Sequence, residues 1–329
     1  MNKPSSLVAQ TLIDSRTILL TTHKDPDGDG LGAATALYHA LSQLGKDVRL
    51  IINDPVPQRY SFLYGIEVSE VYKNDSHDVA ISHADAIVLL DAATASRTGR
   101  MHRALLSASG HKVVIDHHPI REWGDVKLVN TKAASTCELV EQIVVALEVE
   151  ITPQIAEALY TGMVYDTQCF MTPNTTSITH KLAAQMLTAG ASLERVHDAL
   201  FGSWPQGRLG LQGRFLSGLK SDTSGRISWG IIKQEDLHEY QVDAAVLDGF
   251  VNMALSTAGT ELAILFTEGK TGEVGLSFRG RGGVVVNTLA ELFGGGGHRR
   301  AAGASVKGDI EIIVCEVLQA ATDLLSEAK

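Results

Sequence analysis

The chemistry of this chain concentrates in residues 17–33, TILLTTHKDPDGDGLGA, where a short apolar run gives way to His23, Asp25, Asp27 and Asp29 interleaved with glycines. Three further places add acids or imidazoles: Asp91 after IVLL, Asp116-His117-His118 after VVI, and Asp166 in MVYDT. A lone Asp at the end of a strand is most often a turn or helix-cap residue. Three acid-bearing strand exits in one sheet are poorly explained that way. Carboxylates and histidines gathered without thiolates repel one another unless a cation is present, and they suit hard to borderline divalent ions such as Mn²⁺ or Mg²⁺. Histidine in the set favours Mn²⁺, because imidazole is a borderline ligand while Mg²⁺ prefers oxygen and water. The expectation is two Mn²⁺ ions, with Mg²⁺ or Co²⁺ as substitutes. Two ions about 3.5 to 4 Å apart can hold a bridging hydroxide and clamp a phosphoryl oxygen, the two-metal route to phosphoester hydrolysis.

The elements that must position these residues follow from periodicity. Thr17 to Leu20 is a β-branched and apolar run of the buried-strand kind, and Gly30 to Leu44 has helical spacing, so the first acids sit at a strand-to-helix turn. Ligands collect beyond the carboxyl ends of strands in open α/β sheets, and helix starts offer unpaired N–H groups to anions. Further strands are predicted at Val48 to Ile52, Ala86 to Leu90, Val113 to Ile115 and Val126 to Val129, mostly with helices between them. That alternation, running to about residue 189, predicts a mainly parallel sheet. Helices follow at Ser135 to Leu147, opened by Ser135 and Glu138 at capping-box spacing, and at Pro153 to Met163 behind Thr152; both starts read as purely structural.

Gly190 to Ser221 reads as helical, broken by Ser203-Trp204-Pro205-Gln206-Gly207, and serves as the predicted connector. Beyond it the order changes: a strand at 226–232, helices around 235–257, and paired strands at 261–268 and 273–279 joined by Gly269-Lys270-Thr271-Gly272. A helix at 284–293, the loop Gly294-Gly295-Gly296-Gly297-His298 and a last helix capped by Asp309 complete a different, α+β domain. The domain organisation expected is therefore 1–189, a helical linker 190–221, and 222–329.

Composition sets limits on function. With 329 residues and 44% apolar content, the chain supports two cores at about 150 residues per domain. Apolar runs such as Ile143 to Leu147 fall far short of the roughly 20 residues that a membrane helix needs, and MNKPSSLVAQ has no signal-peptide apolar core, so a cytoplasmic protein is expected. Cys137, Cys169 and Cys315 are odd in number, widely spaced and outside any CxxC pair, which argues against a disulfide framework and a thiolate zinc site. The net charge of −10 argues against broad counterion-release binding of long nucleic acid, but not against a short anion held by metals and a few arginines.

The quoted motifs, His23-Lys-Asp-Pro-Asp27-Gly-Asp29, Asp91, Asp116-His117-His118-Pro and Asp166, resemble those of the DHH phosphoesterase family. Ser277-Phe278-Arg279 and Gly294 to Gly297-His298-Arg-Arg-Ala301-Ala302-Gly303 resemble its DHHA1 partner domain. The similarity is greatest to the compact bacterial nano-RNase subgroup of oligoribonucleases that also act on pAp. It implies a parallel-sheet DHH domain joined to a smaller α+β DHHA1 domain, with the active site in a cleft between them. It also implies His23, Asp27 and Asp91 on one Mn²⁺, and Asp29, Asp91, His117 and Asp166 on the other, with Asp91 bridging. By the same resemblance Asp116 orients the histidines and His118 faces the scissile phosphate. Asp25 departs from the family pattern and reads as a turn residue outside the site.

Outside the metal set, Arg97 in DAATASR reads equally as a phosphate clamp or a solvated helix-start residue, and the resemblance favours the clamp. Four consecutive glycines, Gly294 to Gly297, lack packing value at a helix exit and permit close backbone approach to a phosphate or base; His298 follows them. Arg279 and Arg281 supply positive charge for a 5′-phosphate, although Arg281 reads equally as solvated. The function expected is an Mn²⁺-dependent phosphodiesterase that releases 5′-mononucleotides from very short single-stranded oligonucleotides and takes the 3′-phosphate from pAp. Long duplexes and membranes are not expected partners, and homodimerisation is left open. Rival readings are a phosphodiesterase of cyclic di-AMP or linear pApA, of which a membrane-tethered cyclic-dinucleotide regulator is disfavoured by the lack of a sensory or transmembrane segment before the site; a pyrophosphatase or polyphosphatase, disfavoured because related pyrophosphatases have a second domain without GGGGH; and a catalytically idle nucleotide sensor, disfavoured by the intact ligand set.

Overall fold

A computed structural model of the chain describes residues 3–92, 94–119, 123–269 and 272–327. The chain divides into two compact units, Met1–Ser203 and Trp204–Lys329.

In the first unit the elements run α1 (Pro4–Asp14), β1 (Thr17–Thr21), α2 (Gly28–Gln43), β2 (Asp47–Ile52), β3 (Glu70–Val71), α3 (Asn74–His83), β4 (Ala86–Leu90), α4 (His102–Ser107), β5 (His111–Asp116) and β6 (Val126–Val129). Helices α5 (Thr136–Ala146), α6 (Pro153–Asp166), α7 (Ser177–Thr188) and α8 (Leu193–His197) follow. Among the described residues the sheet has the order β3-β2-β1-β4-β5-β6, and every neighbouring pair is parallel. The expected parallel sheet is present, with β3 added. Two residues are too short a segment to show an alternating pattern.

Successive strand residues point to opposite faces, and each face is covered. Ile18, Leu20, Val88, Val113 and Ile115 pack with Leu37, Val140, Ile143 and Leu159 from α2, α5 and α6. Leu19, Ile87, Leu89 and Val114 pack on the other side with Ile81, Met101 and Leu105 from α3, the segment before α4 and α4 itself. This two-sided burial is why the strands read as unbroken apolar runs. From β1 the chain builds outward to β2 and β3, then returns to place β4 on the other side of β1. The two connections diverge at the carboxyl ends of β1 and β4, leaving a crevice where side chains after these strands converge.

The second unit contains α9 (Gln206–Ser217), β7 (Lys220–Ser221), β8 (Ile227–Ile232), α10 (Gln234–Glu239), α11 (Phe250–Leu255), β9 (Leu262–Glu268), β10 (Glu273–Gly280), α12 (Val286–Leu292), β11 (Gly296–His298), β12 (Ala301–Lys307) and α13 (Ile310–Glu327). Its sheet runs β11-β12-β10-β9-β8-β7, with β8 and β9 parallel and the other pairs antiparallel. One face packs on Ile313, Val317, Ala321 and Leu325, spaced along a single side of α13; the other carries Phe215 and Phe250. Asp309 caps α13 as expected, its Oδ1 accepting from the N–H groups of Glu311 and Ile312. In the β9–β10 hairpin Lys270 and Thr271 lie outside the described residues, and Gly269 N–H donates to the Glu273 carbonyl.

The glycine run requires a correction. Gly296 to His298 is not loop but the edge strand β11, paired with β12. Nor do all its glycines lack packing value. A Cβ on Gly295 would lie 2.1 Å from the Gly303 carbonyl oxygen, and one on Gly297, where φ is 141°, would lie 2.7 Å from that of Ala301. Both positions therefore require glycine for strand contact, a demand invisible to β propensity because glycine ranks low on that scale.

A candidate metal centre at the carboxyl ends of the parallel strands

Six groups from four stretches meet beyond β1, β4 and β5. His23 follows β1 by two residues and is 5% exposed. Asp27 caps α2, its Oδ1 accepting from the N–H groups of Asp29 and Gly30 at 3.1 Å each. Its other oxygen, Oδ2, lies 3.5 Å from His23 Nε2. The cap and the site thus use different oxygens of one carboxylate. Asp29, in the first turn of α2, is fully buried, and Asp166 is the last residue of α6. Asp91 follows β4 directly with φ 55°, a left-handed conformation uncommon outside glycine and tolerated best by Asp and Asn.

Asp91 lies between the groups. Its Oδ2 is 3.7 Å from His23 Nε2, and its Oδ1 is 3.5 Å from His117 Nε2 and 3.3 Å from His118 Nδ1. His117 Nε2 also approaches Asp166 Oδ2 at 3.0 Å and Asp29 Oδ2 at 3.8 Å. Ligand atoms of His23, Asp27 and Asp91 form one cluster within 4.8 Å, and those of Asp29, His117 and Asp166 form a second. Two donors each about 2.1 Å from one ion stand roughly 3 to 4 Å apart, so these separations suit a divalent cation in each cluster. The donors are carboxylate oxygen and imidazole nitrogen, which suits the same class of ion.

Asp116, the buried final residue of β5, accepts from the His118 backbone N–H at 2.7 Å and faces His118 Nδ1 at 2.8 Å, fixing the ring. Asp25 is an exposed turn residue at φ 53° whose N–H donates to Asp54 Oδ2. Arg97 is exposed in a 3₁₀ turn spanning Ala95–Met101, and its carbonyl accepts from Lys24 N–H at 2.7 Å, tying that turn to the residue after His23.

In the second unit Arg279 on β10 and His298 on β11 both stand opposite Ala301 of β12. They therefore occupy one row across three strands, on a common face of the sheet. Arg279 donates to the Phe278 carbonyl and Arg281 to that of Leu255. Gly295, Gly296 and Gly297 precede His298 on the same edge.

Sequence reasoning missed the start of α5. Thr136 N–H donates to Asp29 Oδ2 at 2.6 Å, Cys137 N–H to Asp29 Oδ1 at 3.0 Å, and Thr136 Oγ1 to Asp91 Oδ1 at 3.0 Å. The Ser135 cap is present, its Oγ accepting from Glu138 N–H, but the helix start also holds acids 107 and 45 residues away in sequence. The one signal available was a capped helix start preceded by small residues.

Burial and charge set the protonation of these groups. Burial alone would lower His23, but Asp27 and then Asp91 raise it well above its usual value. His117 is likewise raised against burial by Asp166, Asp91 and Asp29. His118 is pushed up to about 9 against burial by Asp116 and Asp91. Burial raises Asp29, helped by the charges of Asp91 and Asp166, and burial also raises Asp166. Asp91 moves the other way: burial would raise it, but His118 and His23 hold it well below the carboxylate range. The metal-free protein therefore carries protons on its imidazoles near neutral pH, and a cation must displace those on its ligands. Cation binding should release protons and strengthen as pH rises from about 6 towards 9. Mn²⁺ calorimetry in two buffers of different ionisation heat, repeated across that range, measures the release; pH-independent binding without proton release would contradict the arrangement.

The N-terminal domain model of the DHH family matches residues 17–163, and the DHHA1 domain model matches residues 231–328. The bifunctional oligoribonuclease and PAP phosphatase NrnA of Thermus thermophilus is 30% identical over 313 residues, covering 94% of this chain and 91% of that protein. The Bacillus subtilis protein of the same name is 27% identical, over 88% of this chain and 89% of that one. Among solved structures, an exopolyphosphatase-related protein from Bacteroides fragilis superposes with a TM-score of 0.90 at 25% identity, covering 98% of this chain and 96% of that one. Exonuclease RecJ bound to manganese shares the fold, with a TM-score of 0.57 at 14% identity over 99% of this chain and 94% of that one. With both domain models matched in order and a relative of this identity spanning nearly the whole chain, the protein belongs to the DHH/DHHA1 phosphoesterase family and is a phosphoric ester hydrolase.

Proposed function

We propose that this chain is a Mn²⁺-dependent hydrolase that degrades very short oligonucleotides to 5′-mononucleotides and converts pAp to AMP. The carrying observation is the pair of donor clusters joined by Asp91, in a chain similar along its length to proteins named oligoribonuclease and PAP phosphatase. His23, Asp27 and Asp91 are assigned to one ion, and Asp29, Asp91, His117 and Asp166 to the other. Such a pair, when bound, would polarise a phosphoryl oxygen and lower the pKa of an attacking water. The chain's own residues do the rest. Asp116 holds the His118 ring by Nδ1, and His118 is assigned to the scissile phosphate. Arg97, on the turn tied to Lys24, is assigned as a phosphate clamp.

Chemistry is assigned to residues 1–189 and substrate holding to 222–329, connected by 190–221. Arg279, His298 and the Gly295 to Gly297 backbone are assigned to the substrate's remote nucleotide, which supports a preference for short chains. A cytoplasmic location is supported by the three free thiols.

A second reading is hydrolysis of cyclic di-AMP or linear pApA. The cyclic-di-AMP phosphodiesterase GdpP of Geobacillus thermodenitrificans is 27% identical over 92% of this chain, which spans 46% of that protein. Product analysis over time with Mn²⁺ on pAp, pApA, cyclic di-AMP, polyphosphate and end-labelled 2-mers to 24-mers separates these readings. Release of 5′-mononucleotides from 2-mers to 5-mers much faster than from 24-mers, with duplex nearly inert, is the expected result. Equal competition by a 24-mer against a 3-mer in one tube would replace this reading with a long-chain exonuclease.

The shared ligand gives a sharper expectation. Asp91→Asn retains the size and the tolerance of a left-handed backbone but loses the bridging charge, so turnover should fall below detection on every substrate while the chain stays folded. Near-wild-type rates in saturating Mn²⁺ would remove Asp91 from the centre.

Arg279→Ala and His298→Ala should weaken hydrolysis of pAp and short oligonucleotides while sparing bis-p-nitrophenyl phosphate, which lacks a remote nucleotide. Remote contacts position the reacting phosphate as well as adding affinity. A lost charged hydrogen bond is worth roughly 1.5 to 3 kcal/mol, so kcat/KM for Arg279→Ala on nucleotide substrates should fall about 10-fold to 150-fold. Steady-state kinetics on both substrate types decides; an equal loss on the small diester would show damage to folding or metal geometry instead.

A further inference from the structure

The start of α5 is joined to the acids at three points. Asp29 is gripped at both oxygens by consecutive backbone N–H groups, Thr136 on Oδ2 and Cys137 on Oδ1, while the Thr136 hydroxyl reaches Oδ1 of Asp91. Ser135 and Thr136 are 0% exposed, as is Asp29, so water does not compete for these bonds. A helix of 11 residues places the positive end of its dipole against the two carboxylates.

The packing that brings α5 so close depends on small residues. A Cβ on Gly162 of α6 would lie 2.3 Å from Cys137 Sγ and 2.5 Å from Asp29 Oδ1. One on Gly32 of α2 would lie 2.5 Å from the Ala158 carbonyl oxygen and 3.3 Å from Cys137 Sγ. Cys137 Sγ in turn faces the Asp29 carbonyl at 3.7 Å and the Ala158 carbonyl at 3.9 Å. Helices α2, α5 and α6 thus meet around one buried thiol, directly behind Asp29.

We propose that Thr136 is a positioning residue for the metal centre: its hydroxyl fixes the Asp91 carboxylate in the orientation that lets each oxygen face a different donor cluster, while the same helix start clamps Asp29. The inference deepens the reading of Asp91 as a shared ligand and rests on it. Oδ1 of Asp91 faces His117 and His118, and Oδ2 faces His23. A carboxylate free to rotate about its Cβ–Cγ bond would turn out of the plane in which its two oxygens face both clusters at once. The hydroxyl hydrogen bond defines one rotamer before any cation arrives, and the left-handed backbone at Asp91 fixes where that carboxylate starts.

The test separates the hydroxyl from the methyl group. Thr136→Val keeps shape and removes the hydrogen bond, whereas Thr136→Ser keeps the hydroxyl and removes the methyl. Mn²⁺ binding is measured by calorimetry and thermal shift without substrate, alongside the Mn²⁺ dependence of bis-p-nitrophenyl phosphate turnover. Partners that orient metal ligands typically alter affinity by about 10-fold to 100-fold, so Thr136→Val should bind Mn²⁺ at least about 10-fold more weakly, with Thr136→Ser close to wild type. Turnover by Thr136→Val should recover substantially at saturating Mn²⁺. If Val does not fold, the same titration on Thr136→Ala decides. Val binding as tightly as wild type, or Ser weakened as much as Val, overturns the proposal by showing either no role or a packing role. Wild-type protein that takes up no Mn²⁺ overturns the metal reading itself, a result distinct from either.

Discussion

Repulsion among carboxylates is the constraint that the first unit is built to manage. Asp27, Asp29, Asp91, Asp116 and Asp166 converge at one end of a parallel sheet, and Asp29, Asp91 and Asp116 are each at most 2% exposed. Two like charges about 4 Å apart cost on the order of 4 kcal/mol at an effective dielectric of 20, so such a cluster opposes folding unless offset. Two kinds of offset are present. Imidazoles of His23, His117 and His118 interleave with the acids and hold protons above their usual range. Backbone N–H groups at the starts of α2 and α5 donate to Asp27 and Asp29. A divalent ion held by His23, His117 and the neighbouring carboxylates would supply a more concentrated positive charge at the same place, so the arrangement that offsets the acids also suits a cation.

The topology follows the same logic. The reversal of strand order at β1 and β4 brings His23 and Asp91 to adjacent strand exits, and β5 beside β4 adds Asp116, His117 and His118. Asp166 comes from a helix end, not a strand. Its helix α6 packs along α2 through Gly32 and Gly162, so the last turn of α6 reaches the first turn of α2. No strand in the sheet supplies this fourth direction. The second unit has no comparable cluster of acids among its described residues; there Arg279 and His298 stand in one row with Ala301 beside a glycine edge.

Much of this was legible in sequence because the informative residues are local to their elements. Apolar runs with an acid directly behind them mark both a buried strand and a concentration of acids and imidazoles, while the division of those residues into two sets came from the family resemblance. What remained hidden was long-range or carried by the backbone. Thr136 and Cys137 look like ordinary first-turn residues; their partners Asp29 and Asp91 are known only once α5 is packed. Strand β11 was hidden because glycine disfavours strands in general, while Gly295 and Gly297 are required here by the backbone of β12. Cys137 shows in sequence only as an unpaired cysteine; its place behind Asp29 appears once α5 is packed, and burial and the neighbouring Asp29 push its thiol well above its usual pKa.

Backbone strain shows how closely the protein's own elements fix the donor geometry. Asp91 adopts φ 55°, and starting two residues after Asp166 the residues Gln168, Cys169 and Phe170 are all left-handed, at 47°, 59° and 64°. Each such non-glycine residue costs on the order of 1 to 3 kcal/mol and persists only where its surroundings over-determine it. Behind Asp166 those surroundings are visible: Thr167 Oγ1 donates to the Met163 carbonyl and accepts from Phe170 N–H, while the Thr167 carbonyl accepts from Met171 and Thr172. Behind Asp91 they are the Ile115 carbonyl, which accepts the Asp91 N–H, and the Thr136 hydroxyl. Strain beside two donors from different elements therefore lies in the strand exit and the helix end themselves, where the fold's own hydrogen bonds hold the donor geometry.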